Sequence, residues 1–366
     1  MGATESIARG RRLLIERPTA ALVALVGVVL LVDLVRRLAT GDLTTETLGI
    51  FVWRGIVNGL VVGLAGIGLS MTYSILNFAN FAHGDYISTG AFAGWASTWV
   101  VAGLGRADVG ALILVGAGGN VFSSDLGTSI TNTPLAIVLG MLVAGAFTVA
   151  LALAIDRVVY RPMRGEEGIS LLIASIGVAF ALRYLLVFVF GSAPRSVADT
   201  PSDVAVAGVT FWFDWHQLTL VVGSVALMVG VHLLLQGTKL GKSMRAMADN
   251  EDLARITGIP TERVIQWTWI IGAGLAGVAG YLLILEAGTI AFNRGWILLL
   301  LIFAAVILGG IGSIYGAIAG GLVIGLTDTV SQIWLPSDFT RAAAFLLMIL
   351  ILLYRPEGIF AGRSTA

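Results

Sequence analysis

The 366-residue chain contains no cysteine. Disulfides, thiolate metal sites and a cysteine nucleophile are therefore excluded. Charge is scarce: 12% of residues are Asp, Glu, Lys or Arg, against about 25% in soluble domains. So little charge cannot cover the surface of a chain this long in water. Lysine occurs only at Lys239 and Lys242, the other basic residues being arginine. Formal net charge is zero, so no overall field points to a nucleic-acid partner. No G-x-x-x-x-G-K-[ST] occurs, which removes the usual ATP-hydrolysing loop, and 236–263, the longest connection read as cytoplasmic, is too small for a nucleotide-binding domain.

What is present is apolar. Hydrophobic residues make up 57% of the chain and glycine contributes 47 positions. Glycine is frequent in membrane helices, where its missing side chain lets backbones approach closely. A spanning helix needs about 20 mostly apolar residues. The sequence offers 19–38, 55–76, 86–104, 134–155, 170–190, 217–235, 264–285 and 340–354. Two shorter runs, 296–310 and 313–330, flank Gly309-Gly310-Ile311-Gly312-Ser313, which reads as a helix break: either two short spans or broken helices in protein-lined space. The predicted fold is an all-α polytopic membrane protein with eight to ten spans. Residues 1–54 form an extra N-terminal span and outer loop, and 55–360 the transmembrane domain. Arg9, Arg11, Arg12 and Arg17 before the first apolar run, with no small-residue cleavage pattern after it, read as a retained span rather than a removed leader.

Lysine and arginine in short loops set orientation. With a cytoplasmic N-terminus and alternating spans, fourteen fall inside and seven outside, with Arg183 inside a span, so both termini are expected in the cytoplasm. Two outer loops, 105–133 and 191–216, are long. The first carries an apolar patch, Val109 to Val115, too short to span.

The densest polar segment is Asn77-Phe78-Ala79-Asn80-Phe81-Ala82-His83-Gly84-Asp85, which sets two amides, an imidazole and a carboxylate between two spans. Polar groups at membrane depth are costly, so they are expected to face protein or a water-filled path. Either they line or brace a translocation path, together with Asn58, or they are the hydrogen-bonded glue of a helix junction. In the 236–263 loop, Asn250 is placed as N-cap of a two-turn helix with Glu251 and Asp252 in its first turn. Leu253, Ala254 and Ile256 give an apolar side, Arg255 closes the last turn and Gly258 stands at C′. Asp33 before Arg36 and Arg37 reads as a local ion pair. Arg183, Glu286 and Asp328 are placed near outer span ends. There they snorkel to headgroups or, on the sharper reading, form a vestibule for a zwitterion. His216 and His232 read as isolated interfacial residues; with His83 they make no metal site.

Asn77 to Asp85 resembles the N-F-A-H-G-[DE] signature of branched-chain amino acid ABC permeases. Tyr160-Arg161-Pro162-Met163-Arg164 is similar to that family's Y-R-P-L-R loop. Met244 to Pro260 resembles its cytoplasmic segment, Leu308 to Ser313 with Gly316-Ala317 its L-G-G-x-G-S-x-x-G-A, and Arg355 to Phe360 its closing R-P-x-G-[IL]-[FL]. The resemblance runs in order over about 55–360. The first span and the 105–133 insert depart from it. It implies a transport subunit in the plasma membrane of a prokaryote that binds no cofactor itself. It further implies a second permease subunit, two ATP-binding subunits and an extracytoplasmic solute-binding protein. Asn250 to Gly258 would then be the helix that docks on the ATPase. Branched-chain or related amino acids are the implied solutes, with urea and short amides carried by close relatives. Two other classes compete. An ion-coupled carrier needs midplane ion sites, yet no acidic residue adjoins the Gly309 to Ser313 break. An intramembrane enzyme needs a nucleophile beside a base, and no such pair stands out.

Overall fold

The computed structural model describes residues 18–103, 128–166, 168–198, 203–206 and 209–360. The N-terminal arginines, the Val109 to Val115 patch and Arg363 lie outside the described residues. The chain divides into two compact units, 1–52 and 53–366. In the first, α1 (Pro18–Thr40) is followed by the opening turns of α2 (Thr45–Leu76). Asp33 binds both Arg36 and Arg37 at 2.7 Å, the local pair expected from the spacing. The expected loop over 39–54 is instead mostly helix. Thr44 caps it by accepting the Thr47 N–H, and Glu46 sits in the first turn. A polar start does not prevent a helix when it supplies its own cap.

The second unit is built on the rest of α2, then α3 (His83–Ala102), α4 (Pro134–Ile155), α5 (Gly168–Phe190), α6 (Trp215–Gly237), α7 (Lys239–Asp249), α8 (Glu251–Ile256), α9 (Thr261–Ala287), α10 (Arg294–Gly309), α11 (Ile314–Val330) and α12 (Thr340–Tyr354). Among the described residues seven helices are long and apolar enough to cross a membrane. These are α2, α4, α5, α6, α9, α11 and α12, the α4, α11 and α12 spans each including an adjoining short helical turn. The expected eight to ten spans included α1, α3 and α10. Side chains of α1 are described only from Leu25, and α3 opens on the polar residues His83 and Asp85. The third, α10, is only 16 residues, about 24 Å, against a hydrocarbon core of about 30 Å.

Enclosure differs sharply between helices. α2 and α9 are mostly buried, whereas α5, α6 and α12 leave most of their apolar windows uncovered. Leu142, Phe188, Leu233 and Leu353 are each 60% exposed or more. Such bands are stable against lipid and untenable against water. Glycine sets the tightest contact. Gly55, Gly59 and Gly63 on α2 face Gly321, Gly325 and their neighbours on α11, so a Cβ at Gly59 would stand 2.8 Å from Leu322 Cα and 2.9 Å from the Gly321 oxygen. This is small-residue packing at a spacing of four.

The connections gather at two ends. One, here the proximal end, carries α7, α8, the α10–α11 turn and the C-terminal turn. The distal end carries two short β-pairings. β1 (Arg195–Ser196) pairs antiparallel with β4 (Thr289–Ile290), and β2 (Asp203–Val206) with β3 (Val209–Asp214). His216, expected to be interfacial, is buried there and accepts the Ile130 N–H at 3.2 Å; the 128–133 turn folds over it. His232 is exposed and bonded to Tyr315.

Candidate functional site

After α2 ends at Leu76 the chain turns back into protein before α3 begins. Asn77 makes the turn at φ 53°, a conformation asparagine tolerates better than most residues, and its side chain is exposed. Phe81 N–H donates to Ser175 Oγ of α5 at 3.0 Å. Asn80 is fully buried, and its Oδ1 accepts the Ala82 N–H at 3.1 Å and the Tyr160 hydroxyl at 3.4 Å. His83, also buried, bonds through Nε2 to the Ala65 carbonyl of α2 at 2.9 Å. A carbonyl can only accept, so Nε2 carries the proton. Gly84 lies on Gly295, whose N–H donates to Ser88 Oγ at 3.0 Å.

Asp85 is completely buried. Arg183 of α5 meets it in a fork, Nε to Oδ1 at 3.1 Å and Nη2 to Oδ2 at 2.9 Å. The guanidinium also lies 4.4 Å from the ring centre of Trp296 and 5.3 Å from that of Phe180. This corrects the expectation for Arg183. It does not snorkel. It does lie towards the expected outer end, about 10 Å along α5 from Phe190, but it is buried, because a carboxylate and two aromatic faces solvate it there.

The Y-R-P-M-R loop has an architectural part that its sequence did not reveal. α4 runs into a π-turn, Asp156–Tyr160, then a 3₁₀ turn, Arg161–Met163. Asp156 is buried and accepts Arg164 Nη2 on both oxygens at 2.7 and 2.8 Å, and Trp269 Nε1 at 2.8 Å. Arg164 Nη1 continues to Glu262 at 2.7 Å. Burial works against the Arg164 charge, but its bonds to Asp156 and Glu262 outweigh that and hold its pKa above the free value. Tyr160 stacks on Trp269 at 5.3 Å and reaches Asn80, so this loop braces the re-entering segment.

At the proximal end residues Lys239–Asp249, expected as loop, form the helix α7. Its Met244 and Met247 are buried, and Gly241 lies so close to the Leu235 carbonyl that no side chain fits. Asn250 Oδ1 accepts the Leu253 N–H at 2.9 Å and Arg255 pairs with Glu251 at 2.7 Å, while Asp252 is solvent-exposed. Gly258 stands at φ 85°, with Gly258 N–H to Arg255 O at 3.1 Å and Ile259 N–H to Ala254 O at 3.0 Å, a complete Schellman closure. The apolar residues of α8 divide: Ala254 is buried, whereas Leu253 and Ile256 are 55% and 80% exposed.

The glycine cluster is a tight turn between α10 and α11. Gly310 and Gly312 have φ of 100° and 85°, Ser313 caps α11 through the Gly316 N–H at 3.0 Å, and Gly309 lies directly on Gly316. The two runs are therefore a helical hairpin. Ile359 and Phe360 N–H groups bond to the Leu308 and Gly309 carbonyls at 2.9 and 3.0 Å, tying the closing R-P-E-G-I-F turn to α10.

At the distal end a cavity of about 140 Å³ opens between α2, α9, α10, α11 and α12, and Asn58 and Asp328 line it. Glu286 is near it but outside its lining, within electrostatic reach of Arg54, Arg294 and Asp214.

Lipid-length helices, a re-entering polar segment and an interior closed by charge pairs define a polytopic membrane protein. The family model described as branched-chain amino acid transport system, permease component, matches residues 51–353, and the chain belongs to that family. It is 30% identical to the high-affinity branched-chain amino acid transport system permease protein BraD of Pseudomonas aeruginosa, over 83% of this chain and 94% of the relative. It is similarly 30% identical to LivH of Escherichia coli, over 84% of this chain and 93% of the relative. A probable LivH of Methanocaldococcus jannaschii is 29% identical over 83% and 89%.

Proposed function

We propose that this chain is the membrane-spanning subunit through which branched-chain amino acids enter a prokaryotic cell across its plasma membrane. The observation that carries this is the 30% identity to BraD over nearly that protein's whole length. ATP is consumed by two separate ATP-binding subunits, because the chain has no phosphate-binding loop of its own. A second permease subunit completes the membrane part and an extracytoplasmic solute-binding protein delivers the solute. The proximal end and both termini face the cytoplasm, in keeping with the excess of Lys and Arg there. The exposed Leu253 and Ile256 on α8 are anchors for an ATP-binding subunit, a helix-in-groove contact. His83 and Asp85 brace the path from within rather than line it, because Ala65 and Arg183 engage them, whereas Asn80 is held only through Oδ1, by Tyr160 and the Ala82 N–H, and its buried Nδ2 has no partner among the described residues.

The test is reconstitution into liposomes with the neighbouring-gene permease, ATPases and binding protein. Uptake of leucine, isoleucine or valine that needs ATP and every partner is expected. Uptake by this chain alone on an ion gradient would overturn the proposal.

A further inference from the structure

We infer that the distal cavity is a receiving site for the charged head of an aliphatic amino acid, an inference that rests on the transport reading above. Four polar side chains converge there: Asn58 from α2, Arg294 from the start of α10, Asp328 from α11 and Arg341 from the start of α12. Their charges are not spent on one another. Among the described residues no ion pair joins Asp328 to either arginine, and Arg341 makes no hydrogen bond. Asp328 is nonetheless held in place. The buried Thr340 hydroxyl donates to its Oδ1 at 2.8 Å, which leaves Oδ2 open. Arg294 is likewise aimed by one nitrogen: Nη1 donates to the Thr289 carbonyl at 2.7 Å and its hydroxyl at 3.0 Å, leaving Nη2 and Nε.

A carboxylate and two guanidiniums around one small cavity match a ligand carrying both signs of charge. The α-ammonium fits Asp328 Oδ2 and the Asn58 amide oxygen. The α-carboxylate fits Arg341 and the free edge of Arg294, since guanidinium forks suit carboxylates. Val62 and Leu301 line the same cavity and offer an aliphatic side chain an apolar wall. A purely anionic ligand would leave Asp328 opposed, and a purely cationic one would face two arginines. The site lies at the end opposite α8, where a solute arriving from outside the cell first meets the bundle.

The experiment uses the complete transporter in vesicles, with cysteine introduced as Ile297→Cys on the cavity wall of this cysteine-free chain. The rate of maleimide labelling is read against added leucine, leucinamide (no carboxylate) and 4-methylpentanoate (no ammonium). Leucine is expected to slow labelling, and the two analogues to need on the order of tenfold more, the weight of one charged hydrogen bond. Asp328→Asn and Arg341→Gln should each raise the leucine needed about tenfold, with Arg341→Lys restoring much of it. Equal protection by all three compounds would overturn the site, since cavity filling alone would explain it. So would protection by phosphatidylglycerol and not by leucine, which would make Arg341 a lipid anchor. Leucine uptake by the wild-type assembly is measured in parallel. Uptake without protection sinks the site and leaves the transport reading standing, whereas charge-selective protection without uptake supports the site and sinks that reading.

Discussion

Asp85 and Arg183 stand 98 residues apart and close on each other in a two-pronged ion pair inside the bundle, with Asp85 wholly shielded. Through it the first turn of α3 is fastened to α5, and the aromatic ring of Trp296 fastens the same guanidinium to α10.

Breaking that pair from one side strands a charge. Asp85→Ala or Arg183→Ala should each cost about 3–5 kcal/mol, whereas a double replacement by apolar residues of similar volume should recover most of it. Thermal unfolding of the detergent-purified protein, followed as loss of the monodisperse peak, checks this. Additive losses in the double variant would show that the two residues do not act as a pair.

The sequence made some of this legible and hid the rest for a physical reason. Spans, the α10–α11 turn and the caps of α8 are local: apolar length, glycine at positive φ and an asparagine before an acidic first turn are all readable within a few residues. Asp85 was recognisable as a costly group in need of a partner. Which group it needed was not, because Arg183 lies on another helix and a charge seven residues from a helix end reads equally well as snorkelling. Asp156 and Trp269 were missed for the same reason, their bond joining positions 113 apart. The helix α7 has a short stripe, Leu240, Met244 and Met247, at helical spacing within one 11-residue polar segment, which is legible as a helix only once that spacing is set against the charges around it. Asn77 parted from the rest of its motif: it makes the backbone turn at φ 53° and its side chain is exposed, whereas Asn80, His83 and Asp85 are buried.

Glycine substitutions should sort by what their Cβ would meet. Gly321→Val and Gly59→Val push atoms into the backbone of the facing helix and are expected to abolish a folded product. Gly177→Ala and Gly230→Ala meet nothing within 4 Å and should be neutral or stabilising, by up to about 1 kcal/mol from helix propensity. Membrane yield and melting temperature of the four variants decide it. Tolerance of Gly321→Val would mean that α2 and α11 pack less closely than described.

The Asp156 hub predicts a ranking. Asp156→Ala removes the acceptor for both Arg164 and Trp269 and should cost the most, on the order of 3 kcal/mol. Asp156→Asn keeps one acceptor oxygen for Trp269 but loses the charge facing Arg164, and should fall between. Trp269→Phe keeps a ring beside Tyr160 but gives up one hydrogen bond and opens a small cavity at a fully buried site, about 2 kcal/mol together. Melting temperatures in that order are expected; a Trp269→Phe variant less stable than Asp156→Ala would reverse the reasoning.

Local order and coupling can be separated at α8. Gly258→Val places a β-branched side chain at φ 85°, where nothing crowds the Cβ, so its cost comes from backbone strain and should reach about 1 kcal/mol or more. That opens the Schellman closure and frees the end of α8. Asn250→Ala removes the other cap, again about 1 kcal/mol. Leu253→Asp leaves both caps intact and changes only the exposed apolar surface. All three should leave the spans folded, because of this segment only Ala254 is buried in the bundle. All three should lower ATPase stimulation and co-purification of the ATP-binding subunits, Leu253→Asp without any loss of melting temperature. Leu253→Asp with full stimulation would remove α8 from the docking surface. A fall in membrane yield for all three, matched to lost activity, would make the helix a structural support instead.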